Sequence, residues 1–372
     1  MSDPSFAGLG LSDAVSAALA RRGITQPFPV QRRVLPDALA GHDVLVKSPT
    51  GSGKSLAFGL PVIERLERGP RPGALVLAPT RELAGQIVEE LRDLAKARGL
   101  SIAAVYGGVG IERQARQAAA AHVLVATPGR LEDLLARRAI TLAHVQILVL
   151  DEADRMLDMG FKPAVDRIVG QTPVDRQTMF FSATLDRAVD GLARAYTRDA
   201  RRHEQPAPRT ARGDVEHRFI ATDPAAKLRA LVGELRRPGR GRTLVFVRTK
   251  RGADRLVKRL REHDLHAVAM HGDKSQGQRE KALARFTAGH TDTLVATDVA
   301  ARGLDVAGIT HVINFDAPGA REDYVHRVGR TGRAGQSGVG ITFVAPDQAR
   351  DVGRIARDLA LHTEFSRSGL RH

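Results

Sequence analysis

The run DVLVKSPTGSGKSLAF at 43–58 passes from an apolar segment through a glycine-rich turn into a helical pattern. A phosphate-binding loop asks for Gly, four residues, then Gly-Lys and Ser or Thr, set between a strand and a helix. Gly53, Lys54 and Ser55 meet that pattern, and Ser48 stands where the first Gly is expected. Thr50, Gly51, Ser52, Gly53, Lys54 and Ser55 are therefore the expected nucleotide-binding residues. Glycines let backbone N–H groups turn inward around phosphate oxygens, and the helix start adds a positive dipole end. Lys54 can reach the outer phosphates, and the Ser55 hydroxyl can ligate Mg²⁺. The competing reading is a glycine-rich turn with no ligand.

The pattern repeats outward from this stretch. Apolar runs at 43–47, 74–78, 122–126, 147–150 and 178–181 alternate with helical patterns such as 54–67, 81–97 and 129–137. Near-continuous Val, Leu and Ile runs fit strands buried on both faces, and strand–helix alternation fits a parallel sheet flanked by helices. The stretch DARRHEQPAPRTARG at 199–213 breaks the alternation, with two prolines, four arginines and no apolar run, and reads as a linker. Runs at 217–221, 243–247, 266–270, 293–296, 311–315 and 340–344 resume it, followed by one helix over about 347–362. The expected architecture is α/β, in two tandem domains: 1–205, a joint at 206–213, and 214–372.

Bulk properties narrow the partner class. The 372 residues carry 57 Lys+Arg against 42 Asp+Glu, a formal net charge of +15. Such an excess favours a polyanion, nucleic acid above all, although a basic composition bias is the bland alternative. With no cysteine, disulfides, thiolate metal sites and Cys nucleophiles are excluded. MSDPSFAGLG lacks the features of a secretory signal, and no run approaches the ~20 apolar residues of a membrane helix. A soluble, cytoplasmic protein acting as a monomer and away from membranes is expected.

The run ILVL at 147–150 delivers Asp151, Glu152, Ala153 and Asp154. In such sheets ligands sit at strand C-termini, which puts a carboxylate there beside the phosphate loop. Asp151 is the candidate for holding Mg²⁺, partly through water, and Glu152 for polarising the attacking water. A solvated acidic helix start is the alternative. The sequence Asp-Glu-Ala-Asp resembles the signature of the DEAD-box RNA helicases. PTRELA (79–84), Gly107-Gly108, TPGR (127–130), SAT (182–184) and GITQPFPVQ (23–31) resemble further family motifs in the family's order. The resemblance runs from about residue 6 to 345.

It implies two tandem RecA-like domains, RNA as partner, and ATP with Mg²⁺ as cofactors. Gln31 is implied to read the adenine edge with Phe6 packed nearby; taken alone, these residues read as a helix-cap glutamine and a core phenylalanine. Arg81, Gly107, Gly108, Thr127 and Arg130 are implied to touch the RNA backbone, with helix caps as the plain alternative. Ser182 and Thr184 are implied to couple nucleotide and RNA. TLVATDVAARGLDV (293–306), HGDKSQGQRE (271–280), LVFVRTK (244–250) and HRVGRTGR (326–333) resemble motifs of the family's second domain. They imply Gly303 and Asp305 near the nucleotide, and Arg248, Gly272 and Thr297 on RNA, with Gln276 and Arg279 supporting the RNA or the interdomain surface. Arg330 and Arg333 are implied to be arginine fingers, completing with Lys54 and Glu152 the catalytic set. His326 and Arg327 are implied to link motifs across the cleft.

The implied activity is ATP-dependent unwinding of short duplexes or remodelling of RNA–protein complexes, with an ATP-gated RNA clamp as the alternative. The chain has no Trp and three Tyr, so base-stacking platforms are not expected to dominate and little sequence preference is. Partners in ribosome assembly or RNA decay are family possibilities. The chain stops at SRSGLRH, soon after the last expected helix, so targeting is expected from partners or from a tail outside this sequence. Ser48, Ser55 and Phe28 depart from the family's usual Ala, Thr and Thr.

Overall fold

The computed structural model describes residues 5–49, 51–185, 187–205, 214–301, 306, 308–332 and 336–370. It divides into two compact units, Met1–Ala207 and Pro208–His372. The joint expected at 206–213 lies outside the described residues.

In the first unit the strands are β1 (Val44–Lys47), β2 (Ala74–Leu77), β3 (Ile102–Val105), β4 (Val123–Ala126), β5 (Ile147–Leu150), β6 (Gln177–Ser182) and β7 (Arg201–Glu204). They form one sheet in the order β3-β4-β2-β5-β6-β1-β7, and every pairing is parallel. In the second unit the strands are β8 (Val215–Ala221), β9 (Arg242–Phe246), β10 (Ala267–Met270), β11 (Thr293–Ala296), β12 (Ile309–Asn314) and β13 (Gly338–Val344). Their order is β10-β11-β9-β12-β13-β8, again all parallel. Position for position the two orders match, with β8 standing where β1 stands and β7 added at one edge.

The strand period explains why the runs are apolar throughout. In the first sheet Val44, Val46, Val76, Val125, Val149 and Phe181 face one core. Leu45, Leu75, Leu77, Leu124, Leu148 and Phe180 face the other. Alternate residues thus feed opposite cores, so both faces of these strands are mainly apolar. The second sheet divides likewise, Leu244, Phe246 and Leu294 on one side and Val245, Val247 and Val295 on the other. Burying each such side chain is worth roughly 1.5–3 kcal/mol.

Two expectations are corrected. Residues 201–204 lie within the stretch read as linker, yet they form β7 on β1. This strand has no apolar run because it is an edge held by its backbone, with Arg201, Arg202 and Glu204 exposed. Edge charges of this kind also discourage pairing with another chain. Asp43 anchors it: its two carboxylate oxygens accept from Thr178 N and Arg198 N, both at 2.6 Å, and its carbonyl accepts from Arg201 N at 2.8 Å. The expected last helix is two, Ala349–Asp358 and His362–Ser366, parted at Ala360 by a positive φ of 58°. Among the described residues no helix is long and apolar enough to cross a membrane.

Candidate active site

Sheet order decides which loops meet. β5, β6 and β1 are neighbours, so the phosphate loop, Asp151 and the Ser-Ala-Thr run leave the sheet side by side at its C-terminal edge. The segments after β2, β4 and β3 leave the same edge on its other half. Nucleotide candidates and RNA candidates therefore occupy adjoining halves of one sheet edge.

The loop's conformation demands its glycines. Gly51 and Gly53 hold φ of 76° and 88°, a region L side chains avoid. A Cβ on Gly53 would also lie 2.6 Å from Gln31 Nε2 and 2.6 Å from Phe28 Cδ2. Gly53 precedes the helix Lys54–Arg65, whose first N–H groups have no intrahelical partner. Ser48 is fully buried, which leaves room only for a small side chain. Its hydroxyl lies 2.5 Å from the Ser52 hydroxyl, which donates to Pro49 O at 2.8 Å. Lys54 Nζ donates to Ser48 O at 3.0 Å, so the loop's own carbonyl holds the ammonium ready.

Gln31 sits against this loop. Its Oε1 accepts from Phe28 N at 2.8 Å and its Nε2 donates to Gly53 O at 3.0 Å. The amide keeps one further N–H and one further lone pair for a base edge. Phe6 is buried in the core, matching its plain reading as a core phenylalanine. Phe28 is 54 % exposed beside Gly53.

Asp151 is buried, and burial pushes its carboxyl up to about 7; the Lys54 charge opposes this, and the neighbouring Glu152 charge adds to it. Its Oδ1 accepts from Glu152 N at 2.9 Å. Glu152 occupies the left-handed region at φ 50°, a strained choice that costs roughly 1–3 kcal/mol. Its Oε2 lies 3.5 Å from Arg155 Nε, outside hydrogen-bonding geometry, and among the described residues has no hydrogen-bond partner. Neither do Arg155 Nη1 and Nη2, nor the buried Ser182 hydroxyl. A strained, buried carboxylate with open hydrogen-bonding capacity is a site prepared for a ligand.

The donor set fits a hard cation. It offers the Ser55 hydroxyl and the Asp151 carboxylate, whose buried negative charge a cation would favour. Among the described residues no cluster of three or more His, Asp or Glu could hold a metal alone. That suits Mg²⁺, which keeps several waters and takes the rest of its oxygens from substrate phosphates.

Two residues of this site escaped the sequence reading. Asp154 Oδ2 accepts from Ala183 N, Thr184 N and Thr184 Oγ1 at 3.1, 3.0 and 3.2 Å, tying the acidic run to the Ser-Ala-Thr run. Its partners lie 29 and 30 residues away, beyond any local pattern. Arg155, three residues after Glu152, was signalled only by the i, i+3 spacing of opposite charges.

On the other half, the Arg81 guanidinium lies over the glycine pair: a Cβ on Gly108 would sit 1.9 Å from Arg81 Nη1, and one on Gly107 would sit 3.5 Å from Nη2. Thr127 N donates to Val105 O at 3.0 Å. Arg130 Nη1 donates to Val109 O at 3.1 Å and to Gln114 Oε1 at 2.6 Å, so its guanidinium shapes the glycine loop. Gln114 belongs to the arrangement without having been foreseen.

In the second unit, Arg248, Gly272 and Thr297 follow β9, β10 and β11, the half of its sheet that corresponds. Arg248 N donates to Asp316 Oδ2 at 2.8 Å, and its side chain is exposed. Lys250 Nζ donates to Asp273 Oδ1 at 2.6 Å beside Gly272, and Thr249 caps its helix as Thr80 caps the helix of Arg81. Gln276 Nε2 donates to Glu280 Oε1 at 2.9 Å, and Arg279 is buried. Within its own unit the Arg327 guanidinium is held on several sides. It forms a two-pronged pair with Asp298 at 2.6 and 2.7 Å and donates to Asn314 Oδ1 and Asp316 O. Arg330 Nε donates to His326 O at 3.2 Å. Thr50, Gly303, Asp305 and Arg333 lie outside the described residues.

Two parallel α/β units, the first with a phosphate loop and a buried acidic strand end, define the class: a nucleoside-triphosphatase core of the phosphate-loop kind. Known proteins narrow it. Residues 28–192 match the DEAD/DEAH box helicase family and residues 226–335 match the helicase conserved C-terminal domain. The chain is 41 % identical over 345 residues to the ATP-dependent RNA helicase CshA of Limosilactobacillus reuteri, covering 92 % of this chain and 69 % of that protein. Its fold is similar to Dbp5 of S. cerevisiae bound to RNA and ADP BeF3, with TM-score 0.83, 29 % identity and coverage of 97 % and 94 % of the two chains. It is also similar to Mss116p bound to ssRNA and AMP-PNP, with TM-score 0.84, 26 % identity and coverage of 96 % and 78 %. The chain belongs to the DEAD-box ATP-dependent RNA helicases.

Proposed function

We propose that this chain is an RNA-stimulated ATPase that opens short RNA duplexes locally or displaces proteins from RNA. The observation that carries the reading is the division of one sheet edge, with Lys54, Asp151 and Ser182 at or after the ends of β1, β5 and β6 and Arg81, Gly107, Gly108 and Thr127 after β2, β3 and β4. Two ligands held on one rigid sheet can bias the same conformational equilibrium, and linkage then makes each promote the other.

Gly51, Gly53 and Lys54 cradle the triphosphate, and Gln31 meets the base. Ser55 and, through water, Asp151 would hold Mg²⁺, which would supply neutralising charge at the phosphates. Glu152 takes a proton from the attacking water, oriented by Arg155. Arg330 and Arg333 of the second unit are proposed to bring positive charge to the terminal phosphate when both ligands are bound; such fingers are worth ~10³–10⁵ in rate. Arg81, the Gly107-Gly108 turn, Thr127, Arg248, Gly272 and Thr297 hold sugar and phosphate, with Arg130 shaping the turn. Asp154 carries the nucleotide state to Thr184.

Steady-state ATPase with oligoribonucleotide, oligodeoxyribonucleotide or neither tests this. RNA should raise turnover at least ~10-fold over DNA, and ATP should accelerate strand release from a short RNA duplex. Stimulation by DNA alone would overturn the RNA assignment. RNA stimulation without ATP-accelerated strand release would make the protein an ATP-gated clamp.

A further inference from the structure

β10 is the free edge of the second sheet, and helices Lys250–Arg261 and Gln276–Thr287 pack against it. Between them lies a groove of about 380 Å³. Its floor is Val257, Ala267, Val268, Ala269 and Ala282, and its walls carry Lys258, Arg261, Lys274, Lys281 and Arg285 against a single acid, Asp254. Lys274 is paired with Asp254 at 2.8 Å. Among the described residues the other four cations form no ion pair. Four unneutralised charges converging on one concavity favour a polyanion.

The first unit supplies an internal control. The free edge there is β3, bordered by helices Arg81–Ala97 and Ile111–Ala120. Those helices hold three Lys or Arg against four Asp or Glu, and two against one. The second unit's pair holds six against one, and three against one. The topology is the same, yet only the second unit has turned this flank cationic.

The groove's upper end is formed by Lys274 and Gln278, next to the candidate RNA contacts Gly272 and Gln276. From there it follows the helix Lys250–Arg261, whose 12 residues span about 18 Å. No aromatic side chain lines it, so it offers charge along a path and no stacking platform. We propose that this groove is a second, sequence-indifferent site for the RNA backbone, continuing the strand held at Gly272 and Gln276 down the flank of the second unit. The proposal rests on the reading of that upper edge as an RNA face. An acidic peptide added to the β10 edge is the competing occupant; continuity with Gly272 and the spread of the cations along the whole groove favour RNA.

The test uses the full chain and the variant Lys258→Gln/Arg261→Gln/Lys281→Gln/Arg285→Gln, with folding checked by circular dichroism. Binding of oligouridylates of about six and about twenty nucleotides is measured by fluorescence anisotropy across a salt series. In the variant the long oligonucleotide should bind at least ~10-fold more weakly, with the slope of log affinity against log salt shallower by about 3, four phosphates at ~0.7 each. The short one should bind within twofold of the parent. Equal weakening of both, or of neither, overturns the proposal. So does poly-L-glutamate binding to the parent chain that is lost in the variant while binding of the long RNA is kept. If no RNA binds the parent chain, the RNA reading of the whole protein fails, a result distinct from loss of length dependence alone. Gln substitution of Arg92, Lys96, Arg113 and Arg116 on the first unit should leave the difference between the two lengths intact.

Discussion

The helix after β1 and the helix after β8 begin at equivalent places in two sheets of matching order, but they end differently as chemistry. In the first unit a glycine loop opens the helix start, and Lys54 reaches back to Ser48 O beside the buried Asp151. In the second unit the helix Lys227–Leu235 also opens on a lysine, and β12 leads to Asp316 as β5 leads to Asp151. Lys227 Nζ and Asp316 Oδ1 lie 3.4 Å apart. There, however, Asp223 Oδ1 accepts from Ala226 N and Asp223 O from Lys227 N, at 2.8 and 3.1 Å, so the protein's own oxygens cap the helix start. Ala317 stands where Glu152 stands. One scaffold thus offers its helix N-terminus to a ligand and the other fills it internally.

The largest effect that can break this comparison is loss of the base. Glu152→Gln should lower RNA-stimulated turnover by ~10²–10⁴ while leaving ATP binding in place, because proton transfer in the transition state contributes that much. Single-turnover hydrolysis alongside nucleotide binding separates the two. Full turnover in this variant would mean that Glu152 is not what distinguishes the units.

Next comes the second unit's internal tie. Arg327 is buried and pairs with Asp298, the first residue of the short helix Asp298–Ala301 after β11. Arg327→Ala removes the partner of that half-buried carboxylate and leaves the Asn314 and Asp316 oxygens unpaired, and should destabilise the second unit by about 1–3 kcal/mol. A thermal scan should show one transition falling and the other holding. Both falling together would mean that the tie is not confined to the second unit.

The smallest effect concerns Ser48. Ser48→Ala removes the bond to the Ser52 hydroxyl but keeps the small volume the buried site needs. The loss should be about 0.5–1.5 kcal/mol, read as a KM for ATP raised by no more than roughly tenfold with kcat unchanged. A collapse of kcat would show that the Ser48 hydroxyl takes part in the chemistry.

What could be read in advance follows from how each feature is encoded. Buried parallel strands write themselves as runs such as ILVL and TLVA, because both faces need apolar residues. The phosphate loop is local, with glycines and lysine at fixed offsets. β7 was not legible: RRHE is held through backbone bonds to β1 and to the Asp43 carbonyl, neither of which shows in its own side chains. Asp154, Gln114 and Arg327 were illegible in a different way. Their residue types were visible, but their partners are set by which strands lie next to each other. The equivalence of Lys54 with Lys227 and of Asp151 with Asp316 likewise emerges only from sheet order, since the segments around them share little sequence.

Equilibrium binding of ATP to the full chain tests the central claim most directly, with stoichiometry read by titration calorimetry. The account predicts one ATP per chain, lost in Lys54→Ala and kept in Lys227→Ala. Two ATP per chain, or one that survives Lys54→Ala, would contradict it.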